Sequence, residues 1–312
     1  MNQPTALGVA TPTPPPLANA NLRAMAYMVT AMGAFVCSDS LMKATSSELP
    51  LGQMIAIRGV FSCLIMLPIV AASCGLATAF RLYSWPIFIR NVAEIGAVLT
   101  FMTALFRLPM ASVSGVLQVV PLTITAAAAL ILREPVGWRR WTASAVGLNG
   151  VLFIIQPGTT DFSIWYLFAI ATVFCVTARD LSTRFIAKTT PSLAITFITA
   201  VVTMLSGFAL GVIENWLPPS LYAVAQLAGA SALVLVGYYS LIEAMRTGEI
   251  SAVAPFRYSV VLWAMILGYL VFGEIPSSGT IIGSVIVIAA GLYTLHRERI
   301  AAGRARSRTT QD

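Results

Sequence analysis

The sequence predicts an all-α polytopic membrane protein, ten transmembrane helices built as two inverted five-helix repeats. Three observations predict it. Of the 312 residues, 58% are hydrophobic and only 10% are charged, against about 25% charged in a soluble domain. The apolar residues fall into runs close to the roughly 20 residues that cross a bilayer as a helix. The chain also repeats itself weakly at about 140 residues, close to half its length of 312.

The spans follow in order. Reading between charges and Pro/Gly breaks gives candidate helices near 24–44, 52–74, 86–106, 110–132, 138–156, 163–183, 192–213, 221–244, 251–272 and 277–295. The gaps at 106/110 and 244/251 are very short. Ahead of them, residues 1–21 are polar and proline-rich, without the basic-then-apolar order of a secretory signal, and are expected to be a disordered cytoplasmic arm. Residues 22–157 and 158–296 are then the two five-helix repeats. Residues 297–312, with Arg297, Arg299, Arg304, Arg306 and Arg308, form a basic tail suited to a membrane surface.

Orientation comes from Lys and Arg placement. With the N-terminus inside, the inner segments hold Arg23, Arg81, Arg133, Arg139, Arg140, Arg184, Lys188, Arg246 and the tail arginines, while the outer ones hold Lys43 and Arg107. Both termini are therefore expected in the cytoplasm. The same placement argues against nucleic acid as the partner behind the net charge of +7; the partners expected are the lipid bilayer and a small-molecule substrate. Monomer and homodimer are both compatible with the sequence. Cys37, Cys63, Cys74 and Cys175 show no metal-site spacing, and His296 stands beyond the last span, so no metal and no cofactor are expected.

The repeat has register. Asp39, Lys43 and Pro50 recur as Asp180, Arg184 and Pro191, and "LREP" around Glu134 recurs as "FGEI" around Glu274. Five helices per repeat is an odd number, so the second copy enters the membrane upside down. Inverted repeats let two near-equivalent halves exchange inward-open and outward-open shapes around a central site.

Residues 22–296 resemble the EamA branch of the drug/metabolite transporter superfamily. The features that carry this are Arg58 in the second span, the block "ALFRLPMASVSGVLQVVPLTITAAAALILREPVGWRRW" at 104–141, and its echo "AMRTGEISAVAPFRYSVVLWAMILGYLVFGE" at 244–274. The resemblance implies ten helices, cytoplasmic termini, and a central cavity lined mainly by spans 1–4 and 6–9. "RNVAE" in span 3 and "ARDLSTR" in span 6 resemble a subgroup that includes riboflavin-uptake proteins and relatives suggested to move S-adenosylmethionine. Riboflavin uptake across the bacterial inner membrane is the single best expectation for function. Amino-acid or other metabolite transport in either direction is the alternative.

Charges inside spans mark a site because they are costly there, at least about 2.5–3.5 kcal/mol each on insertion scales. They are Asp39, Arg58, Arg90, Glu94, Arg179, Asp180 and Arg257, with Glu243 near an inner end. Asp39 and Asp180 are repeat counterparts, each four residues before a base. This fits either self-satisfied Asp–base pairs or a symmetric gating or proton-coupling couple. Arg58, Arg90, Glu94 and Arg257 have no charged counterpart, and an asymmetric substrate needs asymmetric contacts. Polar positions on span 4 (Ser114, Gln118, Thr125) and span 9 (Ser251, Tyr258) support a cavity, with Tyr238 and Tyr258 as ring-stacking groups; interhelical hydrogen bonding explains them equally well.

Glu94, Gln118, Arg257 and Tyr258 are expected to line one cavity between spans 3, 4 and 9, with Arg58, Arg90 and Tyr238 as further substrate contacts. Glu94 is also the carboxyl best placed to carry a coupling proton. No phosphate-binding loop is present to drive transport by ATP. An intramembrane lipid-modifying enzyme is the reading from another class. Against it, the one histidine lies outside the spans and the acids are scattered.

Overall fold

A computed structural model describes residues 17–73, 75, 83–131, 133, 137–158, 162–187, 190–247 and 250–309. Among these the regular structure is helical throughout. Among the described residues nine helical stretches are long and apolar enough to cross a membrane, and a shorter apolar helix, Trp141–Ile155, stands at the place of the fifth expected span. Many large apolar side chains face outward, among them Leu130, Ile131, Val212, Ile213, Leu262 and Leu270. A surface of that kind is matched to lipid rather than water. The molecule is a polytopic membrane protein.

Span 1 is Leu17–Thr45, span 2 Leu51–Ser73 and span 3 Trp85–Arg107. Span 5 is Trp138–Ile155, span 6 Tyr166–Thr183, span 7 Ser192–Leu210 and span 8 Leu221–Thr247. Span 10 begins at Ser278, and its helix runs on to Thr309. The first helix starts at Leu17, inside the segment expected to be a disordered arm; residues 1–16 lie outside the described residues.

Spans 4 and 9 are broken. Span 4 is Met110–Leu117 and Val120–Ile131, and span 9 is Ile250–Val253, a 3-10 turn Ala254–Tyr258, and Ser259–Phe272. Each break has a proline. Pro121 has no N–H for the Leu117 carbonyl, and Pro255 has none for the Ser251 carbonyl, so the helical ladder lapses there. Gln118 and Tyr258, which end the two irregular stretches or adjoin them, are repeat counterparts.

Helix pairing follows the repeat. Span 1 packs on span 8 and span 3 on span 6, and exchanging the halves converts one pair into the other. Likewise span 2 meets span 8 as span 7 meets span 3, and span 1 meets span 9 as span 6 meets span 4. The pairs 2–7, 4–9 and 5–10 are each their own counterpart. A pseudo-twofold axis relating the halves therefore runs between spans 2 and 7. Close approach is built from small residues: Gly207 of span 7 lies against Ala56 and Gly52 of span 2, and Gly283 of span 10 lies against Gly150 and Ile154 of span 5. The GxxxG spacings Gly207–Gly211 and Gly279–Gly283 serve packing within the chain.

Candidate functional site between spans 2, 3, 7 and 8

The central cavity lies on the pseudo-twofold. Its walls include Ile55, Arg58, Gly59 and Ser62 of span 2 and Thr196, Thr199, Ala200 and Thr203 of span 7. These are matched residue by residue at the repeat offset. Glu94 of span 3 and its counterpart Leu235 of span 8 also line it, as does Tyr238. The space is about 90 Å³, enough for a few waters.

The charges around it form two groups. Arg179 of span 6 reaches Glu94 at 3.1 Å through Nη1 and its neighbour Asp180 at 2.8 Å through Nε. One guanidinium thus bridges two carboxylates, and each charge loses part of its burial penalty to the other. One turn before Glu94 on span 3, Arg90 donates from Nη1 to Thr199 Oγ1 at 2.6 Å, and the Thr199 hydroxyl has Asn91 Oδ1 at 3.0 Å and the Ile195 carbonyl at 2.8 Å as acceptors. Arg58 stands in the cavity wall with Asp39 of span 1 in its electrostatic field. The Tyr238 hydroxyl is within electrostatic reach of Glu94, Arg179, Arg58 and Arg90, and its ring meets Phe35 edge-on at 5.2 Å. Asp39, Glu94 and Asp180 balance Arg58, Arg90 and Arg179, so the core is neutral in sum.

The repeat explains a pair of contacts beside the cavity. Ser231 donates to the Arg58 carbonyl at 2.8 Å, joining spans 8 and 2. Arg90, the counterpart of Ser231, donates to Thr199, the counterpart of Arg58, joining spans 3 and 7. The same junction is made twice, once by a serine and once by an arginine.

Several expectations are corrected. Arg58, Glu94 and Tyr238 share the cavity, with Arg90 beside it, but the walls come from spans 2, 3, 7 and 8 rather than 3, 4 and 9. Gln118 sits at the break in span 4 and folds back to donate to the Ser114 carbonyl at 3.1 Å. Arg257 is exposed on the 3-10 turn. Tyr258 is 7% exposed and sends its hydroxyl against Gly291 of span 10. A 3-10 turn advances 120° per residue rather than 100°, so the helical-face argument for span 9 does not hold through Tyr258.

Lys43 does not pair with Asp39. Its ammonium meets Glu274 Oε1 at 2.5 Å and the Leu108 carbonyl at 2.6 Å, while Glu274 Oε2 accepts the Met110 N–H at 2.7 Å. This ties span 1, the 3–4 connection and the end of span 9 together. At the same end Glu214 accepts the Gly52 N–H at 2.9 and 3.0 Å, Gln53 exchanges two hydrogen bonds with Leu217, and Glu48 accepts two from Ser220. That end of the bundle is closed by polar ties between the halves. Glu134 and Lys188, which would bear on the opposite end, lie outside the described residues.

Sequence reasoning gave Asn91 and Thr199 no role, and Arg179 only a place among the buried charges. The signal for span 7 was present: Thr196, Thr199 and Thr203 at i, i+3 and i+7 form a polar stripe in an otherwise apolar helix.

Residues 163–295 match the EamA-like transporter family. Across most of the chain there are named relatives. An S-adenosylmethionine uptake transporter of Rickettsia prowazekii is 26% identical over 267 residues, 84% of this chain and 88% of the relative. A riboflavin transporter of Vibrio cholerae is 23% identical over 292 residues, 92% of this chain and 97% of the relative.

The second half of the chain is thus similar to EamA-like transporters.

A solved crystal structure of a protein shares the fold of this chain, with a TM-score of 0.61 and 17% identity, covering 89% of this chain and 98% of that one. The matching family model and these relatives are all described as transporters.

Proposed function

We propose that the protein is a secondary carrier that moves a small organic metabolite across a bacterial inner membrane by alternating access, with both termini cytoplasmic and no catalytic step. The observation that carries this reading is the placement of the cavity: its walls are repeat-related residues of spans 2 and 7 and of spans 3 and 8. A cavity on the axis that exchanges two inverted halves is the place where a substrate keeps its contacts while access alternates. The space is about 90 Å³, and in alternating access the halves part to load it. The ties at the Lys43–Glu274 end are the contacts whose breaking would open that side.

Riboflavin remains the substrate drawn from resemblance, with Tyr238 as the ring-stacking residue. One observation favours a second reading. Riboflavin is uncharged at neutral pH, whereas Arg58 and Glu94 line the cavity, with Arg179 bound to Glu94 and Arg90 to the wall residue Thr199. Ionised walls suit a charged substrate such as S-adenosylmethionine, with a flat purine, a cationic sulfonium and an amino-acid end. Tyr238 would serve either, by stacking on a ring or facing a cation.

Uptake of labelled riboflavin and labelled S-adenosylmethionine into vesicles containing the purified protein tests this. Saturable uptake of one, competed by its unlabelled form, supports the carrier and chooses the substrate. Chemical conversion of a substrate without accumulation would sink the carrier reading in favour of an enzyme. For orientation, single cysteines at positions 139 and 159 in a background without native cysteines are labelled from outside with an impermeant reagent. Reaction at 159 alone is the expected result; reaction at 139 alone reverses the topology.

A further inference from the structure

We infer that Arg90 and Asn91 of span 3, with Arg58 across the cavity, form a subsite for a carboxylate carried by the substrate. The inference rests on the carrier reading above and specifies the chemistry of one end of its site. It starts from donors that have nothing to donate to. Arg90 uses Nη1 on Thr199, but its Nε is buried without a hydrogen-bond partner. Asn91 is 1% exposed; its Oδ1 accepts from Thr199, and its Nδ2 is buried without a partner. Neighbouring residues of one helix thus hold unused donors around Thr199, a residue of the cavity wall. Buried donors in folded proteins are nearly always satisfied, so a pair left open beside a cavity points to an acceptor that arrives from elsewhere.

Charge gives the acceptor its sign. Among the described residues the ion pairs inside the spans are Arg179 with Glu94 and Arg179 with Asp180, which leaves Arg58 and Arg90 without an acid at salt-bridge distance. Glu94 and Asp180 are thus already engaged by Arg179, and Asp39 acts on Arg58 without an ion pair, while Arg58 lines the cavity and Arg90 reaches its wall at Thr199. A guanidinium with a free N–H beside an amide donor matches a planar two-oxygen anion. The neutral sum of the charged core sets the magnitude. A phosphate dianion would leave about two uncompensated negative charges in a low-dielectric core, which is strongly unfavourable. A carboxylate within a zwitterion adds none: its negative end meets Arg90 and Asn91, and its ammonium lies in the field of Glu94. The subsite therefore selects an α-amino acid head group.

The experiment compares S-adenosylmethionine with its decarboxylated analogue, which keeps the purine, sulfonium and amine. Binding is measured to the purified full-length protein and to Arg90→Gln, Arg90→Lys, Asn91→Leu and Thr199→Val, each checked for membrane abundance and monodispersity. The wild type is expected to bind the carboxylated ligand at least about 30-fold more tightly. Arg90→Gln and Asn91→Leu should bring that ratio to within about 3-fold, while Arg90→Lys retains part of it. A change in ratio cannot come from a merely structural role, which would weaken both ligands alike. Equal binding of both ligands by the wild type overturns the subsite, as does a ratio unchanged in the variants. Should neither ligand bind, the S-adenosylmethionine reading fails, and thermal stabilisation by sodium acetate against sodium chloride decides the subsite. Stabilisation present in the wild type and lost in Arg90→Gln supports it; no difference between the salts overturns it.

Discussion

The two faces of the central cavity, one from each repeat, share a backbone and differ in chemistry. Spans 2 and 3 bring Arg58 and Glu94 to positions where spans 7 and 8 bring Thr199 and Leu235. Where the junction between halves needs only a hydrogen bond, Ser231 serves on one side and Arg90 on the other. The packing positions, such as Gly59 and Ala200, stay alike. Symmetry is kept where the two halves must exchange roles, and is broken where something asymmetric must be held. The broken positions are therefore the ones to test for substrate contact, and the matched ones for packing and gating.

The largest effect is expected where the asymmetry is sharpest. Glu94→Gln leaves Arg179 with Asp180 alone, and transport should fall about 100-fold at unchanged membrane abundance. Arg257→Met, on an exposed turn, should remain within about 2-fold in the same uptake assay. Normal transport by Glu94→Gln would move the site toward Asp39 and Asp180, the proposed gating or proton-coupling pair.

The next prediction compares matched positions in the packing of spans 2 and 7. Gly207 abuts Ala56 and the Gly52 carbonyl, while its counterpart Met66 sits in an apolar cluster with Val70, Ala194 and Phe197. Gly207→Leu should destabilise by about 2 kcal/mol or more, whereas Met66→Leu should lose less than about 1.5 kcal/mol. Thermal unfolding in detergent measures both, and similar losses would break the distinction between backbone contact and side-chain packing.

A smaller effect concerns the closed end. Lys43→Met or Glu274→Gln removes a charge from a tie that also holds Leu108 and Met110 in place. Each should slow uptake about 10-fold and raise the labelling of a cysteine placed at Ser277 by an impermeant reagent. The double exchange Lys43→Glu with Glu274→Lys should recover part of the loss, which is the signature of a direct pair. Unchanged labelling would show that this tie does not govern opening.

The smallest effect is at Tyr238. Tyr238→Phe keeps the ring and the edge contact with Phe35, so affinity should change by no more than about 3-fold, while Tyr238→Leu should lose about 10-fold. Equal behaviour of the two variants would assign the role to the hydroxyl instead of the ring.

Much of the fold was legible in the chain because membrane insertion is read locally. Twenty apolar residues bounded by charge make a span whatever surrounds them, and the Asp39/Asp180 register exposed the repeat without any contact being known. The charges also announced a site, since Arg58, Arg90 and Glu94 stand out from apolar runs. What failed was partner choice. Lys43 looked matched to Asp39 one turn away, yet it meets Glu274, which is 231 residues distant. Gln118 and Tyr258 looked placed to share a cavity with Glu94, yet both lie at proline breaks where the 3.6-residue period lapses. Sequence by itself determined which segments cross lipid and which polar groups are buried there, because those depend on composition and local spacing. Only the tertiary structure decided that spans 2, 3, 7 and 8 enclose the cavity, and that Arg179 takes Glu94 and Asp180 while Arg90 and Asn91 keep donors free. Those outcomes depend on how helices rotate against one another across the pseudo-twofold, which no local pattern encodes.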